Sequence, residues 1–225
     1  MNNILRWINT QIKKIFNSRK ADTIAVCNAL DIASGGSLSL IKQGIAQTFQ
    51  GFLEAKFNNL VLDVLSNDIR EDELIAFIHS QSESNKEFIS NLILKNLHAD
   101  NRITTFLLAK LWVQKMRNGA LNYYESSLFS NINTLTVHDF EVFYDSFRNI
   151  SFYQNRQNMF ETTTSPENEH YITSLNKYKS IGIIADISAF DGGSIVEEAQ
   201  LKINFLKTPF SDTFFEHLKE FFENN

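Results

Sequence analysis

The sequence is poor in residues that break helices and in residues that crosslink chains. It has two prolines in 225 residues, Pro166 and Pro209. Residues 1–165 hold none, so nothing there forces a kink or removes a helical hydrogen bond. Long unbroken helices are therefore permitted over most of the chain. A single cysteine, Cys27, excludes an internal disulfide. It lies in an apolar stretch and reads as a buried thiol in a reducing compartment. No segment approaches the ~18 apolar residues of a spanning helix. The nearest, Thr23 to Ile41, is interrupted by Asp31, Gly35 and Gly36. Residues 4–16 are interrupted by Arg6, Lys13 and Lys14, so the unbroken apolar core of a signal peptide is missing. These absences point to a cytoplasmic protein.

Cations are also scarce after the first 20 residues. The chain carries a net charge of −5. Residues 1–20 hold Arg6, Lys13, Lys14, Arg19 and Lys20 and no acid, a charge of +5. Residues 21–135 have nine cations against twelve acids, and residues 136–225 have seven against fourteen. A uniformly basic nucleic-acid binder is excluded.

What is present is helical periodicity. Ile4, Leu5, Ile8, Ile12, Ile15 and Phe16 recur at helical spacing, with Trp7 at the edge of the stripe. After Gly35-Gly36-Ser37, read as a break and N-cap, the positions Ile41, Ile45, Phe49, Phe52, Leu53, Phe57, Leu60, Val61, Val64 and Leu65 predict a long helix. An acidic turn at Glu71, Asp72 and Glu73 opens another. Further helices are predicted after Ser84, after Asp100 or Asn101 up to Gly119, over Tyr123–Phe129, and after Thr136. Asn149 to Glu169 is polar and reads as a loop. A helix from about Glu167 to Ser180 follows.

Then comes the one clear period-two signal. Ile183, Ala185 and Ile187 alternate with polar neighbours, as do Ala199, Leu201, Ile203 and Phe205. Asp191-Gly192-Gly193-Ser194 between them predicts a β-hairpin turn. A last helix follows Thr208-Pro209 and carries Phe210, Phe214, Phe215, Leu218, Phe221 and Phe222.

The order helix, helix, hairpin, helix over residues 136–225 resembles a winged-helix module. Thr136–Arg148 and the helix with Tyr171, Ile172 and Leu175 would form its helices, and the hairpin its wing. Leu175–Ile184, "LNKYKSIGII", is similar to the end of winged-helix recognition helices, with Tyr178 and Ile181 at apolar positions. Thr208–Leu218, "TPFSDTFFEHL", resembles the closing element of bacterial helical proteins with such a module. With the segment Ile93 to Leu108, the layout resembles the abortive-infection alpha-type family. That resemblance covers residues 35–220 and implies a link to bacterial phage defence. It implies no catalytic residue. The expected fold is therefore mainly α: a cationic amphipathic helix (1–20), a helical body (21–135) and a C-terminal winged-helix-like module with one β-hairpin (136–225).

Three groups of residues are candidates for contact. Ile4, Leu5, Trp7, Ile8, Ile12, Lys13, Lys14, Ile15 and Phe16 form a basic amphipathic face. It suits an anionic membrane surface, such as the inner face of a bacterial membrane, or a protein partner. An ordinary core-packed helix competes with both. In the module, Asn176, Lys177 and Lys179 are the candidate winged-helix contacts, beside Asn168. Glu167, Glu169, Glu197 and Glu198 stand close in sequence and oppose DNA, so a protein partner is favoured over DNA. Phe214, Phe215, Phe221 and Phe222 exceed what one narrow helix face needs. Either the last helix is buried on two sides, or the excess makes a homo-oligomer contact.

Catalytic chemistry is not indicated. Gly36-Ser37-Leu38 lacks the lysine of a phosphate loop, since Lys42 lies too far along. His79, His98, His138, His170 and His217 include no pair at i+3 or i+4, so no helical metal site is visible, and no cofactor is implied. His138-x-x-Glu141 and Glu169-His170 are local pairs that read as surface or cap residues. Neither Cys27 nor any serine sits in a nucleophile pattern. The expected function is a non-enzymatic partner-binding or sensor protein. A DNA-binding regulator and a peripheral membrane protein are the alternatives.

Overall fold

A computed structural model of the chain describes residues 55–78, 82–148, 151–152, 159–164, 169–186, 196–197 and 200–224. The expected amphipathic helix at residues 1–20 and the glycine pair at 35–36 lie outside the described residues. The chain divides into two compact units, Met1–Leu97 and His98–Asn225.

In the first unit, residues 55–65 form a helix (α1). Its buried positions, Phe57, Leu60, Val61 and Val64, follow the i, i+3, i+4, i+7 stripe of an amphipathic helix. Ser66 and Asn67 side chains donate to the Asp63 carbonyl and close its C-terminus. Asp68 then takes the left-handed conformation at φ 58° that ends the helix. α2 (Glu71–Ile78) buries Leu74 and Ile78. α3 (Glu83–Leu97) buries Phe88, Ile89, Leu92 and Ile93. Its cap is Ser82, whose hydroxyl accepts from the Asn85 amide, rather than Ser84. Two bonds tie α3 to α1: Lys56 Nζ donates to the Leu97 carbonyl, and Asn96 Nδ2 to the Lys56 carbonyl.

The second unit is built on α4 (Arg102–Asn118). Asn101 caps it by accepting from the Thr104 amide, and Gly119 ends it at φ 73°. Every residue from Ile103 to Val113 is buried, so this helix needs no polar stripe there. α5 (Tyr123–Asn131) starts with a reciprocal capping box between Asn122 and Glu125. A short 3-10 turn, Ile132–Thr134, leads to α6 (Val137–Arg148).

After α6 the chain enters a five-stranded antiparallel sheet. Its strands are β1 (Ser151–Phe152), β2 (Met159–Thr164), β3 (Ile184–Asp186), β4 (Val196–Glu197) and β5 (Gln200–Lys207). α7 (Glu169–Ser180) lies between β2 and β3 in sequence, and α8 (Ser211–Asn224) follows β5. β5 is central. β2 pairs with one edge, from Met159↔Leu206 to Thr164↔Leu201. β3 and β4 share the other edge, through Ala185↔Leu206 and Val196↔Leu201.

The chain is mainly α, as expected, and β3 and β5 pair as the hairpin signal required. One expectation needs correction. The polar segment read as a loop contains β2, the longest partner of β5. Its three consecutive threonines are β-branched and suit a pleated strand, and without it one whole edge of β5 would stay open. On the other edge of β5, Glu197 pairs with Gln200. The Asp191–Ser194 segment itself lies outside the described residues.

The core of this unit is aromatic. Phe143 of α6 meets Tyr178 of α7 at 4.8 Å and Phe214 of α8 at 4.9 Å. All three side chains are fully buried. Phe147 stacks on Phe143 at 4.2 Å. Phe is suited to this place because it fills volume without a polar tip to satisfy. Replacing Phe143 by Ala should destabilise the protein by about 4 kcal/mol. Chemical denaturation of the full chain measures this, and a loss below about 1 kcal/mol would contradict the placement of Phe143 at the centre.

Candidate functional site

The three groups of candidate contact residues fare differently. The nine positions from Ile4 to Phe16 lie outside the described residues. The α7 group and the α8 group are both placed.

On α7, Asn176 is exposed. Lys177 is drawn inward, with Nζ 2.6 Å from Asp139 Oδ2 on the first turn of α6. Asp139 has only 2% of its side chain exposed. The same oxygen accepts from the Thr136 amide at 2.7 Å and the Thr136 hydroxyl at 2.8 Å. The Asp139 amide donates back to Thr136 Oγ1, which completes the cap that the sequence indicated. Burial pushes the Asp139 pKa up. Hydrogen bonds from Lys177, Thr136 and Ser174 outweigh that and hold the carboxyl below its ordinary value. This carboxylate is saturated with donors, so it acts as a clamp between α6 and α7.

Beside the clamp, the Tyr178 hydroxyl is fully buried, and burial followed by the Asp139 charge pushes its pKa well up. It stays protonated at neutral pH. A second cross-link joins Ser146 of α6 to the Tyr171 hydroxyl of α7.

Lys179 lies over the Phe205 ring, 5.4 Å from its centroid. Lys207 at the end of β5 pairs with Asp212 and lies 5.5 Å from the Phe147 centroid. These lysines are therefore engaged with groups of their own module.

On α8, Phe214 and Phe221 are buried, while Phe215 and Phe222 are half-buried. Phe221 packs on Phe106 of α4 at 5.4 Å. Phe215 and Phe222 pack on Tyr144 of α6 at 5.6 and 4.9 Å. The surplus of phenylalanines is thus matched by α4 on one flank and α6 on the other. The helix start is held as well, since the hydroxyls of Thr208 and Ser211 both donate to the Ile183 carbonyl before β3.

One cluster, with Lys110 buried, His217 half-buried and Glu220 exposed, carries no signal in the sequence. Lys110 of α4 donates to both carboxylate oxygens of Glu220 on α8, at 2.7 and 2.6 Å. Residues 110 positions apart cannot be paired from sequence spacing. His217 lies one turn before Glu220. Burial, then the Lys110 charge, lowers its pKa to about 4, against a smaller opposing effect of Glu220. His217 is therefore neutral at pH 7.

Among the described residues, no helix is long and apolar enough to cross a membrane. No family model, curated protein or solved structure matches this chain.

The His217 geometry carries a pH prediction. Its folded pKa lies below its unfolded value near 6.5. The unfolded chain therefore binds the proton first as pH falls. The contribution is complete above pH ~6.5 and is lost as pH falls toward ~4. Between pH 7 and 5 the chain should lose roughly 1–2 kcal/mol of stability through this group. His217→Gln should flatten that part of the profile. An unchanged slope in urea titrations across the range would contradict the half-buried, neutral histidine.

Proposed function

We propose that the protein works by binding another protein, without chemistry of its own, in the cytoplasm of a bacterial cell. The observation that supports this reading is the internal engagement of three of the module's five lysines. Lys177 is held by Asp139, Lys207 by Asp212, and Lys179 lies over Phe205. DNA binding needs cations presented outward to phosphates. Here Lys177, named as a recognition-helix contact, is turned to a buried carboxylate, and residues 136–225 carry fourteen acids. A surface of that charge suits a protein partner with a basic or mixed face.

The resemblance to abortive-infection alpha-type proteins places the proposed role in phage defence, as a partner-binding or sensor component. One observation favours the DNA-binding regulator as a second reading. The strand order β2-β5-β3, with a helix feeding β3, is the layout expected of a winged module. Against it, the connection from α6 to α7 holds β1 and β2, whereas a helix-turn-helix uses three or four residues. Contact of residues 1–20 with an anionic membrane is a further proposal that rests on sequence alone.

Two binding measurements on the full chain test this reading. Duplex DNA at ~50 mM salt should show no retention, and affinity capture from host cells, with and without phage challenge, should return one protein at fixed stoichiometry. DNA retention that weakens steeply with added salt would replace the reading with the regulator. Absence of any specific partner in both states would overturn it.

A further inference from the structure

The fold brings together two histidines that are far apart in sequence. His138 is in the first turn of α6 and His170 in the first turn of α7. Their ring centroids are 6.5 Å apart, with planes at 85°. Both residues are exposed. Glu141, one turn along α6, has Oε2 3.9 Å from His138 Nδ1. That separation is longer than a hydrogen bond, so the carboxylate is a neighbour of the ring rather than a bonded support.

The two helices cannot drift apart easily. Lys177 clamps α7 to Asp139, the residue after His138, and Tyr171, the residue after His170, is bonded to Ser146. Each histidine is thus adjacent to a cross-link between the same two helices. That is preorganisation: the ring pair exists before any ligand arrives.

We propose that His138 and His170 form a two-imidazole site for a divalent first-row transition ion of the zinc or copper class, bridging α6 and α7. Imidazole is the commonest side-chain ligand for such ions and binds in its neutral form. Zinc–nitrogen bonds of ~2.1 Å at a tetrahedral angle put two ring centres about 5 Å apart. The rings therefore need to close by a little over ~1 Å, within reach of χ rotation in exposed side chains. Among the described residues, no group of three or more histidine, cysteine or acidic side chains could hold a metal. The ion would rest on two imidazoles, with water in the remaining positions. Such an ion exchanges with its surroundings and would stiffen the α6–α7 pair when bound.

Calorimetric titration of the full chain with zinc chloride tests the site. One ion per chain is expected. His138→Ala and His170→Ala should each weaken binding by more than the ~10-fold that loss of a supporting group costs, and the double variant should be no worse than either. Glu141→Gln should lose less than either histidine variant, and His98→Ala, at an exposed histidine elsewhere, should bind as the parent does. Zinc should raise Tm in the parent and in neither histidine variant. Both substitutions are at exposed positions, and circular dichroism checks that each variant folds. No uptake up to millimolar zinc, or full affinity retained in either single histidine variant, would overturn the proposal.

Discussion

The contact of Phe143, Tyr178 and Phe214 holds the C-terminal unit together. It joins one side chain from each of α6, α7 and α8 at the place where all are fully buried. Other ties fix the sheet to the same helices, through Thr208 and Ser211 to the Ile183 carbonyl and Lys179 over Phe205. The flanking layers follow from the aromatic contact. Phe147 stacks on Phe143, Phe215 extends the stack outward, and Tyr144 carries it to Phe222. On the other flank α8 meets α4 through Phe106 and the Lys110–Glu220 pair. An aromatic centre of this kind buries large area per residue and tolerates few polar neighbours. Asp139 and Lys177 beside it are paired with each other, whereas the Tyr178 hydroxyl at its centre is buried without a hydrogen-bond partner.

That packing has a consequence for the surface. α8 presents much of its aromatic stripe to its own unit, so the helix is a structural wedge with α4 on one side and α6 on the other. Lys177 and Lys179 of α7 and Lys207 of β5 are likewise held by carboxylates or aromatic faces of the unit. A face whose cations are turned inward is left dominated by its acids. This is the physical basis for reading the module as a protein-binding surface rather than a phosphate-binding one.

Much of the architecture was legible because it depends on local signals. The apolar stripe of α1, the caps at Asn101 and Thr136, and the stop at Gly119 are all short-range features. The β3–β5 pairing was legible from strict alternation. β2 was not, because Thr162, Thr163 and Thr164 carry the same polar signature as a loop, and only the open edge of β5 distinguishes the two. Ser82 and Ser84 are both plausible caps from composition, and helix phase alone selects the first. The functional residues were least legible. Lys177 looked like a free cation because its partner, Asp139, lies on another helix. The Lys110–Glu220–His217 cluster and the His138–His170 pair are products of tertiary packing, and no spacing rule within one helix could show them.

The account rests on α6, α7 and α8 being one cooperative body around that aromatic centre. Native-state hydrogen exchange followed by mass spectrometry tests this most directly. The core amides of α6, α7 and α8 should open together, with one common free energy equal to that of global unfolding. If α8 exchanged early and independently of α6 and α7, the helix would be a loosely held appendage, and the account would be contradicted.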